Sequence, residues 1–417
     1  MIGDETDVLI VGAGIAGLTA AKVLKAAGKT IKILEATASI GGRVKTDEQD
    51  GFLLDHGFQV LLTAYPEAKR FLDYEALDLR KFDPGALILT EKRVSQIGDP
   101  LRQPSTLWKT LFFPAGTLAD KVKILALKLR LSGKSIDSVF SEHETTTLSY
   151  LKNKGFSDQI ISFFFRPFMT GIFLENELNT SSRMFEFVFK MFSEGDTVIP
   201  ARGMGMIPKQ LAEGLTADEL ELNQNVSFVE NNFVTTTTGS IYYAKNILLT
   251  AAKSPNKLIP LNGSSKKPNS VVCIYFASAK PPFTEPLIAL NTLSNKLVNN
   301  VAIMDQISPA YSSTGQSLIS VTLIGDDEAN TSPEIIPKVL DELKQWYPGS
   351  PTWKHIKTYF IPYALPNDEH VCNDPEPSTL RISENCFCCG DYLLNGSINA
   401  AMKSGRLTAE AIIKTMN

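Results

Sequence analysis

Cysteine is scarce in this chain of 417 residues: five in all, at positions 273, 372, 386, 388 and 389. Their number is odd, which argues against a disulfide framework. Cys386, Cys388 and Cys389 fall around a buried strand pattern, where small thiols pack as apolar groups. No run of 18 uncharged apolar residues occurs, so no segment is expected to span a membrane. Internal repeats and low-complexity tracts are lacking too. Near the N-terminus there is no charged region, apolar stretch and cleavage site of a targeting peptide, and the expected location is cytoplasmic. Positive charge is not in excess: 41 Lys and Arg against 45 Asp and Glu give a net charge of −4, which argues against nucleic acid as a partner. No metal site is expected. With 43% apolar and 21% charged residues, the chain has an ordinary globular composition and is long enough for two or three domains.

What is present begins at residue 8. Val8 to Val11 is a short, wholly apolar run, as a strand buried on both faces of a parallel sheet requires. Gly12, Gly14 and Gly17 follow at G-x-G-x-x-G spacing, for a tight turn, close approach of a pyrophosphate and tight helix packing respectively. The helix predicted from Ala16 to about Ala27, with Ile15 at its entry, would aim free N–H groups and its positive end at phosphates. Gly28 is a natural stop, and Thr30 to Leu34 reads as the second strand. Glu35 then stands 18 residues after Gly17, placed with Ala36 to meet an adenosine ribose; its carboxylate would repel a 2′-phosphate.

Further on, Gly41-Gly42-Arg43 is a second glycine turn backed by a cation, suited to charge near a pyrophosphate or flavin ring. Gly51 to Phe58 follows, containing Asp55, His56 and Gly57. Near the other end, Phe387-Cys-Cys-Gly390-Asp391 reads as a short strand ending in a turn, and Gly396 to Gly405 opens a last helix.

These blocks together resemble the flavin-containing amine oxidase superfamily, which includes monoamine oxidases, protoporphyrinogen oxidases, carotenoid desaturases and related isomerases. The resemblance implies an α/β fold: a Rossmann-like FAD-binding domain of the glutathione-reductase type, interleaved with an α+β substrate or cap domain. It also implies that the glycine loop and Glu35 hold the ADP half of FAD, that Gly41, Gly42 and Arg43 run beside the pyrophosphate and flavin with Gly57 and Phe58 nearby, and that Gly390 and Asp391 bind the ribityl chain or pyrophosphate. In the family, N–H groups of the helix beginning near Ser397, Ile398 and Asn399 face the flavin's N1–O2 edge, where a positive helix end stabilises the reduced anion. The block from Asn223 to Ala252 resembles the family's strand meander, with Val226 against the adenine and Ala251 also at the cofactor, and Pro200 to Met204 resembles its P-x-G-G-M turn. No cysteine matches the site of covalent flavin attachment in monoamine oxidases, so FAD is expected to be noncovalent.

Segment order divides the chain into residues 1–90, 200–258 and 380–417 for the FAD domain, and 91–199 and 259–379 for the cap. The first cap segment reads as helical. The second mixes the strand-like runs SVVCIYFAS, SLISVTLIG and KTYFIPY with one amphipathic helix. Phenylalanines from 163 to 168 and from 185 to 192 supply core, and are numerous enough to line an apolar pocket as well. Arg166 among them needs a partner, either a structural counter-ion or a substrate group. From Trp108 to Leu131, basic residues interleave with apolar ones, as on a solvated helix face or a peripheral membrane contact.

Three functional readings follow. In the first, an FAD enzyme removes hydride from an apolar small-molecule substrate to flavin N5, as desaturases and protoporphyrinogen oxidases do, and passes electrons to oxygen or a quinone; polyene isomerisation is a variant of it. Tyr363, within the stretch YFIPYALP near the flavin's substrate face in the family, is its substrate-side candidate, and His56 is a candidate acid, base or positioning group. In the second, the substrate is an amine, but Ser397 replaces a tyrosine of the monoamine oxidase aromatic cage and Ala400 replaces a glycine, which argues against simple amines. The third is a flavin-free prenyl-binding protein of the same fold, resembling Rab escort proteins; retention of Glu35, Arg43 and Asp391 argues against it. No second glycine motif follows a strand pattern, so a separate NADPH domain is not expected.

Overall fold

The computed structural model describes residues 6–91, 93–98, 116–230, 232–250, 267–325 and 332–416. Its first sheet is built on the strand Thr6–Val11, whose Val8, Leu9 and Ile10 are shut off from solvent on both faces. This strand runs parallel to Ile31–Leu34 on one side and to Ile241–Leu249 on the other. Cys386–Cys388 joins Ile241–Leu249 in parallel, and Leu220–Glu221 extends the opposite edge. The antiparallel strands Val226–Glu230 and Phe233–Thr236 complete the sheet as a meander leading into Ile241–Leu249. The expected βαβ unit is thus present, with its helix at Ile15–Ala26 and Gly28 past its end at φ 73°.

The C-terminal helix, Ile398–Met416, packs on that first helix. Gly405 makes the approach possible, since a Cβ there would lie 2.2 Å from the Ala16 carbonyl oxygen. Sequence-distant ends of the chain therefore form one layer over the parallel sheet.

The second sheet has seven strands in the order Lys354–Leu365, Asn269–Ser278, Ser317–Ile324, Val298–Ile303, Ile288–Asn291, Gly85–Leu89 and Val94–Gly98. The three strands expected from the alternating runs are among them. One face packs against the main core and the other against the helix Ile335–Leu343, with Val272, Ile274, Phe276 and Val339 fully buried between. Gly85–Leu89 belongs here because it pairs in parallel with Ile288–Asn291. Residues 85–89, expected with the FAD domain, thus pair into the second sheet, a long-range pairing that local pattern does not carry.

Helices occupy most of the described part of the first cap segment, including Leu118–Ser132, Thr147–Asn153, Arg166–Phe173 and Ser182–Glu194. The run from Asp158 to Phe173 is one helical path with a π-helical stretch at Ile161–Phe165. Pro167 lacks an N–H and crowds the carbonyl one turn earlier, which a widened turn relieves. Trp108, Lys109 and Ala251 lie outside the described residues.

Candidate cofactor-binding site

The three glycines of the loop after the first strand have distinct physical tasks. Gly12 turns the chain at φ 107°, a conformation side chains disfavour. A Cβ on Gly17 would lie 2.2 Å from the Gly12 carbonyl oxygen, whereas one on Gly14 would meet nothing nearer than the Gly42 Cα at 4.0 Å. Gly14 thus faces open space bordered by the Gly41–Gly42 turn, and Gly41 donates its N–H to the Ala13 carbonyl at 2.8 Å. The helix behind it has no side-chain cap and no acid in its first turn, so its positive end is left for an external anion.

Glu35, buried at the end of the second strand, is held in place on both oxygens. One accepts the Ala13 N–H at 2.8 Å, and the other accepts the Thr37 N–H and hydroxyl at 3.0 and 2.7 Å. Ala36 is exposed beside it. Val226 is buried at the head of the meander, and the Gln224 N–H donates to the Glu35 carbonyl at 2.8 Å. The Gln224 side-chain oxygen is buried without a donor among the described residues.

At the other end of the cradle, residues 348 positions apart converge. Arg43 donates to Asp391 at 2.6 Å and to the Ala364 carbonyl at 3.0 Å, with its guanidinium 5.1 Å from the centre of the Tyr363 ring. Burial works against the Arg43 charge, but the adjacent Asp391 outweighs it and holds the guanidinium firmly protonated. Burial likewise pushes the Tyr363 phenol up, with Asp391 adding to the effect. Gln59 donates to the carbonyls of Arg43 and His56, at 2.8 and 3.0 Å, and its own oxygen is likewise buried without a donor among the described residues. Gly57, at φ 89°, lies under the Ile361 side chain, and Phe58 packs edge-on against Phe82 at 6.0 Å.

The C-terminal helix begins as expected at Ile398. Ser397 caps it, its hydroxyl accepting the Ala400 N–H at 3.0 Å and donating to Asn395 at 2.7 Å. The Asn399 side-chain oxygen is engaged elsewhere, accepting the Glu67 N–H at 3.0 Å. Gly390 donates to Ser404 at 3.0 Å, fixing the Asp391 turn on this helix.

Asp368 is the group that sequence reasoning missed. Its carboxylate accepts the Gly396 N–H at 2.7 Å and its carbonyl accepts the Ser181 N–H at 2.8 Å, so it joins the cap helix to the loop entering the last helix. Burial pushes its carboxyl up to about 8, more than the Gly396 N–H lowers it, and the Asp391 charge adds to the rise. It stands two residues beyond the highlighted YFIPYALP stretch, and neither periodicity nor motif marks it.

His56 and Arg166 lie in different surroundings. The His56 ring is 4.6 Å from the Tyr359 ring, and its Nε2 is 3.0 Å from Asp47, which also accepts the Tyr359 hydroxyl at 2.7 Å. Arg166 donates to the Asn176 carbonyl and has as an electrostatic neighbour Lys296, in the loop between the strands Ile288–Asn291 and Val298–Ile303, which places it away from Arg43 and Tyr363.

The family model for flavin containing amine oxidoreductases matches residues 15–413. The chain belongs to that family. Similar proteins include the mitochondrial protoporphyrinogen oxidase of Nicotiana tabacum, 26% identical over 39% of this chain and 32% of its own length. The putrescine oxidase of Kocuria rosea is 42% identical over 30% of this chain and 24% of its own length. The chain thus spans about a third or less of these curated relatives. Among solved structures, an oxidoreductase from Methanosarcina mazei superposes with a TM-score of 0.74 at 18% identity, covering 97% of this chain and 100% of that one. A putative protoporphyrinogen oxidase from Exiguobacterium gives 0.71 at 18% identity, with 99% of each chain covered.

The cofactor of this family member is FAD, and the residues present fit it. The open face at Gly14, the uncapped helix end and the fixed Glu35 suit an adenosine and pyrophosphate, and the acceptor oxygens of Gln224 and Gln59 stand one by Glu35 and one by Arg43.

Proposed function

We propose that the protein is an FAD-dependent oxidoreductase that removes hydride from an apolar small molecule, in the manner of desaturases and protoporphyrinogen oxidases, with oxygen or a quinone as final acceptor. The observation that carries this reading is the convergence of Arg43, Asp391, Tyr363 and the start of the last helix at one end of the cofactor cradle. FAD, when bound, supplies the electron sink at N5. The chain's own residues have the remaining tasks. The N–H groups at Ile398 and Asn399 and the positive helix end stabilise negative charge, and the Arg43–Asp391 pair fixes the turn beside it. Tyr363, stacked on Arg43, would shape the substrate side rather than exchange a proton, because burial holds its phenol protonated.

The apolar substrate is supported by the aromatic cluster of the cap helices. Phe165 and Phe185 are sealed core, while Phe164, Phe168, Phe189 and Phe192 are only partly buried, with Phe168 5.7 Å from Phe164 and 5.3 Å from Phe192. An amine substrate has less support, since Ser397 stands as a helix cap where monoamine oxidases place a cage tyrosine. Noncovalent attachment is supported by the thiols: burial pushes Cys273 and Cys388 up to about 11 and Cys386 to about 12, leaving little nucleophilic thiolate.

The test begins with the visible spectrum of the purified protein before and after denaturation. Yellow colour released to the supernatant is the expected result, followed by anaerobic bleaching on screening with polyenes, porphyrinogens and amines. Bleaching by amines alone would overturn the apolar-substrate reading. Asp391→Ala removes a charge-assisted hydrogen bond of about 1.5–3 kcal/mol, so its FAD affinity should fall about ten- to a hundredfold. Undiminished flavin content in that variant would remove Asp391 from the cofactor site.

A further inference from the structure

The helix Leu118–Ser132 is amphipathic in an unusual sense, with apolar residues on two opposite sides. Asp120, Leu127 and Leu131 are buried against the protein. On the other side, Leu118, Val122, Leu125 and Leu129 are 67, 60, 42 and 62% exposed. Their spacing of four, three and four residues sets them in a single stripe along the helix, facing away from the core.

The helix is firmly seated, so the stripe's outward direction is fixed. Thr117 and Asp120 form a capping box, and Asp120 further accepts the Ser157 N–H and hydroxyl at 2.9 and 2.7 Å. Lys123 donates to the Gly155 carbonyl, and Arg130 is held by the Tyr150 hydroxyl at 2.5 Å and by the buried Glu186. A contiguous apolar stripe kept against water on an anchored element marks a contact surface.

Charge indicates what the contact is. Lys121 and Lys128 border the stripe along one edge, and the helix's one acid, Asp120, is turned inward and buried. Beyond the other edge, where Lys123 reaches Gly155, the neighbouring segment exposes Lys152 and Lys154, opposed there by Asp158. A narrow apolar ridge flanked by cations suits an anionic bilayer, into which such a helix sinks to the boundary of headgroups and acyl chains. A second copy of the chain suits it poorly. Antiparallel two-fold pairing along this stripe would set the Lys121–Lys128 edge of one copy against the same edge of the other.

We propose that Leu118–Ser132 docks the enzyme on the surface of an anionic membrane, with Leu118, Val122, Leu125 and Leu129 entering the lipid. This stands on the helix alone and does not depend on the identity of the substrate.

The experiment is flotation of the flavin-loaded protein with vesicles of phosphatidylcholine, with and without phosphatidylglycerol. The expected result is recovery with the anionic vesicles and little with the neutral ones. Val122→Asp with Leu129→Asp should reduce partitioning by about tenfold or more for each side chain. Lys121→Glu with Lys128→Glu should reduce it about fivefold or more for each charge, with the stripe intact. Unchanged flavin absorbance and melting temperature in both variants keep the comparison free of folding defects. Failure of the native protein to float with anionic vesicles, equal recovery from neutral ones, or a dimer in solution that Val122→Asp disperses without any vesicle binding would each overturn the proposal. Such a failure with normal flavin content would leave the oxidoreductase reading standing.

Discussion

Asp368 carries the sharpest consequence at the scale of one residue. Its carboxyl titrates near its ordinary 3.8 in the unfolded chain and at about 8 when buried beside Gly396. Between those values the folded state holds a proton that the unfolded state has lost, so this group's contribution to stability falls as pH rises through the window. Asp368→Asn retains the acceptor for Gly396 and cannot ionise. The variant should melt above the native protein at pH 9, with the difference shrinking towards pH 4; a pH-independent difference would mean that Asp368 titrates as an ordinary carboxyl. Glu35, Arg43 and Asp391 were legible in the sequence because each stands at a fixed offset from a glycine turn with one geometric purpose. Asp368, Gln59 and Gln224 were not, because each owes its role to burial created by segments far away in the chain.

At the scale of elements, the cofactor cradle depends on how closely two helices approach. Gly405 of the last helix lies against the Ala16 carbonyl at the start of the first helix and sets their separation. Gly405→Ala must push them apart. A cost of about 1–3 kcal/mol is expected from overpacking, together with weaker FAD binding, read by thermal melts and flavin titration. Gly28→Ala is the contrast: a Cβ there meets nothing within 4 Å and is disfavoured only by its φ of 73°, so stability should drop while flavin affinity holds. Equal loss of affinity in both variants would detach helix spacing from cofactor binding. Elements with strong local signals, the βαβ unit and the apolar cap strands, were readable in the sequence. The π-helical stretch at Ile161–Phe165 was not, although Pro167 inside an apolar helical run is its chemical cause.

At the scale of the molecule, interleaved segments must act as one body, and Asp55, at the end of the small two-stranded sheet of Thr46–Gln49 and Phe52–Asp55, joins that sheet to the second large one. Its buried carboxylate accepts Thr46 at 2.5 Å, Tyr311 at 2.6 Å and the Met204 N–H at 3.0 Å, while its carbonyl accepts the hydroxyl of Tyr275 from the second sheet at 3.0 Å. Residue order alone could not reveal this joint, for the same reason that it misplaced Gly85–Leu89: partners more than 200 positions apart leave no local pattern. Burial raises the Asp55 carboxyl to about 6 even with those donors in place. Tyr311→Phe removes one donor, so the carboxylate becomes harder to keep ionised. The cost should be about 1.5–3 kcal/mol at pH 8, where the native group is charged, and smaller at pH 5, where it is mostly protonated and no longer needs every donor. Melting curves of native and variant protein at the two pH values test this. A drop of the same size at both would mean that the Tyr311 hydroxyl fills space at the joint between the sheets rather than holding its charge.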